Sequence, residues 1–313
     1  MKKYKKYKSK RVLITGALGQ DGRILSHIFH KNKFKVIGLI KKNNSHKLKF
    51  CKYFINNLRS EKKIISILKK SKPSHVIHLA STNKSFSKRN GKEIHKIHYL
   101  NNLNTTKNLI KAIIKTNLNC RFIFAGSSLM YEGTTKKILK EKDNFKPLGH
   151  YGKYKVASHK YIKKIQKLHK LNSTTVILFN HDSIERSKTF LLPKIIYAFK
   201  KKKIDFINKV YSLNISGDFS HAKDICKAIY KVSISKKNID KIILSSGKRF
   251  YFNKLIRHLA KKFKYKINNI NLQKNKNKKF IGSNKLAMKE INYKPKKDYF
   301  YIYKDFLKYQ KLN

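Results

Sequence analysis

RVLITGALGQDGRIL, residues 11–25, decides the fold. Val12, Leu13 and Ile14 form a short run with no polar alternation, the pattern of a strand buried on both faces. Gly16, Gly19 and Gly22 follow at intervals of three, and Ile24, Leu25, Ile28 and Phe29 then recur at helical spacing. A strand, a glycine turn and a helix in that order form a site for a dinucleotide. Glycine takes the positive φ of the turn and lets the backbone approach a pyrophosphate, which then sits against the amides of a helix N-terminus. The spacing is one residue wider than the common G-x-G-x-x-G, and Gln20 and Asp21 lie inside it.

Working outward, the run Phe34–Ile40 reads as the next parallel strand and ends in Lys41-Lys42. An acid at such a strand end, about twenty residues past the glycines, selects NAD. None is present, and two lysines suit a 2′-phosphate, so NADP is expected over NAD; the plainer alternative is a pair of solvated lysines. Ile64–Leu68 reads as helix, His75–Ala80 as a buried strand, and about 94–115 as one helix with Leu103, Thr106, Leu109, Ile110 and Ile113 on one face. Phe122–Ala125 is a further strand, ending in Gly126-Ser127-Ser128. This alternation predicts an α/β fold with a doubly wound parallel sheet. Ligands of such sheets bind at the carboxyl ends of the strands, where Gly16, Lys41, Ala80 and Ser127 all fall. We read 1–179 as the dinucleotide-binding domain and 180–313 mainly as a smaller substrate lobe, with a helix near 221–232 returning to the first domain.

The next helix begins near His150 and carries Tyr151 and Lys155, which share one face a turn apart. A nearby ammonium favours phenolate, lowering a tyrosine pKa from about 10 toward the range of a general base. Ser127, at the preceding strand end, can donate to the same substrate oxygen. Y-x-x-x-K alone is weak evidence here, because Tyr154 and Tyr161 also have lysine neighbours. Its force lies in the order: glycine turn, strand-end serines, then tyrosine and lysine.

Composition bounds the rest. A chain of 313 residues, 40% hydrophobic and 12% aromatic, can bury a sizeable core. With 77 Lys+Arg against 15 Asp+Glu the formal charge is +62, a field that attracts polyanions. The lysines run from Lys2 to Lys311 without gathering into a stripe, and no nucleic-acid-binding motif accompanies them. Abundant Asn, Ile, Phe and Tyr, scarce Arg and absent Trp match drift toward A/T-rich codons, so no specific nucleic-acid partner is expected. Cys51, Cys120 and Cys226 form neither a disulfide framework nor a metal spacing, which fits a reducing cytoplasm. His95 and His98 stand three apart but lack partner ligands, so no metal is expected. No run of about 18 apolar residues predicts a membrane span, and the Lys274–Lys279 tract reads as a solvated loop.

These motifs together resemble the extended short-chain dehydrogenases that modify nucleotide sugars, and the GDP-mannose 4,6-dehydratase family in particular. ITGALGQDG is similar to that family's glycine loop; Lys41-Lys42-Asn43-Asn44-Ser45 resembles its basic NADP and inter-subunit loop. Asn57-Leu58 falls where the family has Asp-Leu beside the adenine, and Leu79-Ala80-Ser81 resembles its cofactor-flanking Leu-Ala-Ala. Residues 178–183, LFNHDS, with Arg186, Phe190 and Lys194, resemble a segment whose His and later Arg touch the cofactor and whose Asn faces the sugar nucleotide. The resemblance therefore implies cofactor contacts at Gly16, Gly19, Gln20, Asp21, Gly22, Lys155, His181 and Arg186, and substrate contacts at Ser128, Asn180 and Lys194. Asp218–Asp224 (DFSHAKD) and the stretch from Ser283 to Pro295 extend the likeness to nearly the whole chain.

One departure bears on chemistry. The family's strand end carries T-S-E, whose glutamate removes the C5 proton; here Ser127-Ser128-Leu129 stands there. Serine can replace threonine as donor, but leucine cannot be a base. Glu132 is three residues on, Pro193 replaces a family arginine, and Phe219 replaces a tryptophan as a conservative core change. The resemblance implies a GDP-hexose dehydratase that oxidises C4 with NADP, as a homodimer or homotetramer. The local chemistry suits a 4-keto reductase or C4 epimerase, which needs only Ser127, Tyr151 and Lys155. A non-catalytic NADP- or nucleic-acid-binding protein is the third reading.

Overall fold

In the computed structural model the described residues are 10–42, 47–82, 91–187, 189–267, 272–273, 280–296 and 299–309, without the side chains of 299, 300 and 307–309. Residues 43–45 of the basic loop and the 274–279 tract lie outside them. β1 (Arg11–Thr15) enters the glycine turn and α1 (Gln20–Lys31), followed by β2 (Lys35–Ile40), β3 (Cys51–Ile55), α2 (Glu61–Ser71) and β4 (His75–His78). Next come α3 (Gly91–His98), α4 (Thr105–Lys115), β5 (Arg121–Ser127), β6 (Ile138–Leu139), α5 (His150–His169) and β7 (Ser173–Leu178). The lobe begins with β8 (Asn180–Asp182), α6 (Leu191–Lys200), α7 (Ile204–Ser212) and β9 (Ser216–His221). Then follow α8 (Ala222–Ile234), β10 (Lys241–Leu244), β11 (Arg249–Tyr251), α9 (Phe252–Lys262), β12 (Ile281–Gly282), α10 (Lys285–Ile291) and α11 (Tyr299–Tyr309).

Seven strands form one parallel sheet in the order β10-β7-β5-β4-β1-β2-β3. The chain winds outward from β1 through β2 and β3, then returns to β4 on the other side. The reversal between β1 and β4 opens a crevice at their carboxyl ends. Register aligns those ends, with Thr15 opposite both Leu39 and His78. On one face Val12 and Ile14 pack with Leu25 and Phe29 of α1 and with Ile225 and Ile229 of α8. On the other, Leu13 and Val76 pack with Ile64, Leu68, Leu109, Ile113 and Ile162 of α2, α4 and α5. Both faces are covered, which is why β1 shows no alternation.

The chain's return to the large sheet includes more than α8. β10 pairs with β7 as the seventh strand, and Ala287 and Ile291 of α10 join the same core as α8. The lobe proper has its own core, in which Leu192, Ile196, Phe199, Ile207, Phe252, Leu255 and Ile302 meet. Phe219 packs there against Phe250 and Phe252, the environment expected of a tryptophan's replacement.

The helix expected over 94–115 is interrupted. Between α3 and α4 the backbone widens into a π turn, Tyr99–Asn104. Thr105 and Thr106 donate their hydroxyls back to the Asn101 and Asn102 carbonyls (3.0 and 2.7 Å), a bonding that bends helices. The side chain of Asn102 bonds instead to the backbone of Thr82. Such wide turns gather at functional sites.

Candidate active site

The glycine turn is shaped by close approach. Gly16 holds φ at +69°, and a Cβ on Gly22 would stand 2.4 Å from the Gly16 carbonyl oxygen. A Cβ on Gly16 itself would press on the Ala80 backbone at 3.2 Å. Gly19 caps α1 without any side-chain hydrogen bond. The N-terminal amides of a twelve-residue helix therefore face a side-chain-free cradle, and a dinucleotide pyrophosphate fits it. Lys41 and Lys42 follow the end of β2 and are exposed, with no carboxylate at that strand end. Asn57 is exposed and its Oδ1 accepts from Arg59 N, while Leu58 is buried with φ at +61°.

Thr15, the residue before the turn, fixes the far wall. Its Oγ1 accepts from the Leu79 and Ala80 amides at 3.1 and 3.0 Å, so its proton goes to His78 Nδ1 at 2.8 Å. His78 Nε2 donates in turn to Thr106 Oγ1 at 3.0 Å. Burial, aided by the Lys155 charge, pushes the His78 pKa down to about 3, which keeps the ring neutral for this chain of bonds. Asn102 adds a second staple: Oδ1 accepts from Thr82 N, and Nδ2 donates to Thr82 O and to His98 Nδ1. Leu79, Ala80 and Thr82 are thus held by their backbones. Ser81, exposed between them, projects its hydroxyl toward Tyr151.

Ser127, Tyr151 and Lys155 meet across this wall. Ser127 ends β5 and its Oγ accepts from Leu129 N at 3.2 Å, starting the short 3₁₀ turn Ser128–Tyr131. Ser128 is buried. The carbonyl of Leu129 seats on α5 at Gly152, where an added Cβ would collide at 2.4 Å. That contact docks the serine turn one residue from Tyr151. Among the described residues Lys155 is the one buried lysine, 2% exposed, and its ammonium donates to Ala125 O at 2.7 Å. It lies 5.5 Å from the Tyr151 ring centroid and 4.9 Å from that of Phe124. Burial pushes the Lys155 pKa down to about 7. Burial also raises that of Tyr151, with Asp21 adding to the rise while Ser81, Ser127 and Arg186 oppose it. The competing tyrosines differ: Tyr154 bonds His95 Nε2 at 2.7 Å, and Tyr161 lies half-buried under Lys107.

Gln20 and Asp21 turn their side chains away from the cradle, toward β8. Gln20 Oε1 accepts from Ser183 N and Oγ at 2.8 and 3.1 Å, and Nε2 donates to the His181 carbonyl at 3.2 Å. His181 Nδ1 donates to Phe179 O at 2.7 Å, and Nε2 reaches the Asp21 carboxylate at 2.9 and 3.0 Å. Both ring nitrogens are donors, so His181 is an imidazolium. Burial works against both charges, but each partner outweighs it: Asp21 is held below its ordinary value and His181 above. Arg186 bonds Asp182 and lies 3.9 Å from the Phe190 ring centroid. Asn180, exposed, donates to Asp218 O at 3.4 Å; Lys194 is exposed on α6.

A family profile described as GDP-mannose 4,6 dehydratase matches residues 13–311. The chain belongs to the GDP-mannose 4,6-dehydratase family. A GDP-6-deoxy-D-talose 4-dehydrogenase of Aggregatibacter actinomycetemcomitans is 28% identical over 228 residues, 72% of this chain and 70% of that protein. GDP-mannose 4,6 dehydratase 1 of Arabidopsis thaliana is 27% identical over 260 residues, 75% of this chain and 70% of that protein. Among solved structures, a UDP-N-acetylglucosamine 4-epimerase of Methanobrevibacter ruminantium superposes with a TM-score of 0.78 at 22% identity, covering 96% of this chain and 99% of that one. That likeness shows a shared fold.

The departures from the family's residues have definite places. Leu129 is half-buried and carries no titratable group. Glu132 is exposed, its Oε2 accepting from Gly149 N at 3.3 Å, just ahead of α5. Pro193 is buried in the first turn of α6, where a missing amide costs nothing. The family-like segment 218–224 is structural: Asp218 takes the amides of Ser246, Gly247 and Gly282, and Asp224 that of Lys296. Sequence reasoning missed Thr15, His78, Thr106 and Asn102. Only the position of Thr15 beside Gly16 hinted at one of them. No described helix is long and apolar enough to cross a membrane.

Proposed function

We propose that the chain interconverts the C4 hydroxyl and C4 ketone of a GDP-hexose with NADP, as a 4-keto reductase or C4 epimerase rather than a complete dehydratase. The carrying observation is Leu129: the strand-end position that needs a base for C5 has a hydrocarbon, and Glu132 is engaged on Gly149 N–H. A relative named for 4-dehydrogenation of a GDP-6-deoxy sugar supports the same reading.

The residues divide the work as follows. Bound NADPH supplies hydride to the C4 carbon. Tyr151 gives its proton to O4 as the ketone is reduced, and recovers it in the reverse direction. The rise in its pKa keeps the phenol protonated, the form a general acid requires. Ser127 donates to O4, and Lys155, anchored on Ala125 O, holds the cofactor's ribose and favours the phenolate left behind. Lys41 and Lys42 would hold the 2′-phosphate that distinguishes NADP. Ser128, Asn180 and Lys194 would contact the sugar nucleotide, and the family likeness supports a dimer or tetramer.

The dehydratase reading is favoured by the family, and it requires Glu132 to leave Gly149 and serve as the base. Two incubations separate them, followed by mass: GDP-mannose with NADP⁺, and a GDP-4-keto-6-deoxyhexose with NADPH. Gain of two hydrogens in the second alone is the expected result. Loss of water in the first would overturn the proposal.

A further inference from the structure

The two segments that carry much of the family likeness, Gln20-Asp21 and Asn180–Ser183, are halves of one contact bridging about 160 positions of chain. Each polar side-chain atom on the Gln20 side is used: the amide nitrogen donates to the His181 carbonyl and the oxygen accepts from the Ser183 amide, on either side of Asp182 at the end of β8. Asp21 and His181 close the contact as an ion pair with side chains 19% and 8% exposed. Gln20 and Asp21 are also the first residues of α1, so their backbone borders the phosphate cradle while their side chains hold the lobe. Asn180, the residue ahead of His181, is exposed, and its amide makes a long bond to Asp218 O.

We propose that Gln20, Asp21 and His181 are a clasp that sets the position of Asn180 and the lobe's entry strand over the crevice, acting as positioning residues for the sugar nucleotide rather than as side-chain contacts to the cofactor. The identity of the ligand as a GDP-sugar rests on the reading above; the clasp itself does not. Changing one member of the ion pair alone, or shortening Gln20, frees β8 from α1 while leaving the glycine cradle intact. The cofactor site then keeps its affinity, and the sugar-nucleotide site loses its geometry.

The test uses the full chain carrying Asp21→Asn or Gln20→Ala. NADPH affinity is read by fluorescence, GDP-mannose affinity by calorimetry at saturating NADPH, and backbone hydrogen exchange over 179–187 by mass. The expected result is an NADPH Kd within about twofold of wild type and a GDP-mannose Kd raised about tenfold, the scale of one charge-assisted hydrogen bond, with faster exchange in 179–187. The double variant Asp21→Asn/His181→Gln keeps a neutral hydrogen bond and should recover most of the GDP-mannose affinity; it also guards against a single variant that fails to fold. NADPH affinity lost with exchange unchanged would overturn the proposal, since the side chains would then be cofactor contacts. Faster exchange with GDP-mannose affinity unchanged would overturn it as well. Should wild type hold neither GDP-mannose nor GDP, the GDP-sugar reading falls, and exchange together with NADPH affinity still decides the clasp.

Discussion

Two ionisable pairs, each of one buried and one half-buried member, sit on either side of the crevice, and loss of water acts on them with opposite results. Lys155 and Tyr151 share a wall with Phe124, and among the described residues no carboxylate is bonded to the ammonium. Desolvation brings the lysine to about 7 and raises the tyrosine, so both groups lie nearer their neutral forms. His181 is buried and Asp21 half-buried, yet each is the other's counterion and both stay charged. What a buried group does is decided by its partner. In the proposed reading one pair exchanges a proton with a substrate, and the other holds two segments together.

Removing the phenol should have the largest effect. Tyr151→Phe is expected to cost at least about 10²-fold in turnover while NADPH binding persists, measured by steady-state rates and fluorescence titration. Breaking the ion pair comes next. Asp21→Asn leaves an imidazole without its carboxylate and should lower the unfolding free energy by about 3 kcal/mol in urea melts.

The pH dependence of the clasp sharpens the contrast. Asp21 lies below its ordinary 3.8, so its contribution is present above that value and is lost as pH falls through the depressed one. His181 lies above its ordinary 6.5, so its contribution is full below 6.5 and is lost as pH rises through the elevated value. The Tm advantage of wild type over Asp21→Asn/His181→Gln should therefore be greatest between about pH 4 and 6.5 and shrink on the alkaline side. The smallest effect is expected from Ser81→Ala. Loss of a hydroxyl that favours the phenolate should move the alkaline limb of the reduction profile upward.

The sequence showed what is local. Three glycines after an apolar run, a serine at a strand end and a tyrosine four residues before a lysine are patterns in consecutive residues, and each was legible. The π turn was not, because Leu103, Thr106, Leu109 and Ile113 keep helical spacing whether or not one turn widens. β10 was missed because four residues, Lys241–Leu244, become a strand only by pairing with β7. The roles of Gln20 and Asp21 were invisible for a related reason: a side chain's partner some 160 residues away leaves no periodic trace. Tyr154 and Tyr161 also have lysine neighbours, so a lysine nearby does not by itself single out Tyr151. The distinction lies in which lysine is buried, a property of the tertiary structure.

The seventh strand has a consequence for biosynthesis. Until Lys241–Leu244 leaves the ribosome, β7 presents an unpaired edge, and until α8 arrives the face carrying Val12 and Ile14 lacks one of its covering helices. A nascent or truncated chain ending near residue 179 therefore displays both a sticky edge and bare hydrocarbon, the features that recruit chaperones and seed aggregates. A dinucleotide domain excised at that point would need solubilising help that the full-length polypeptide does not.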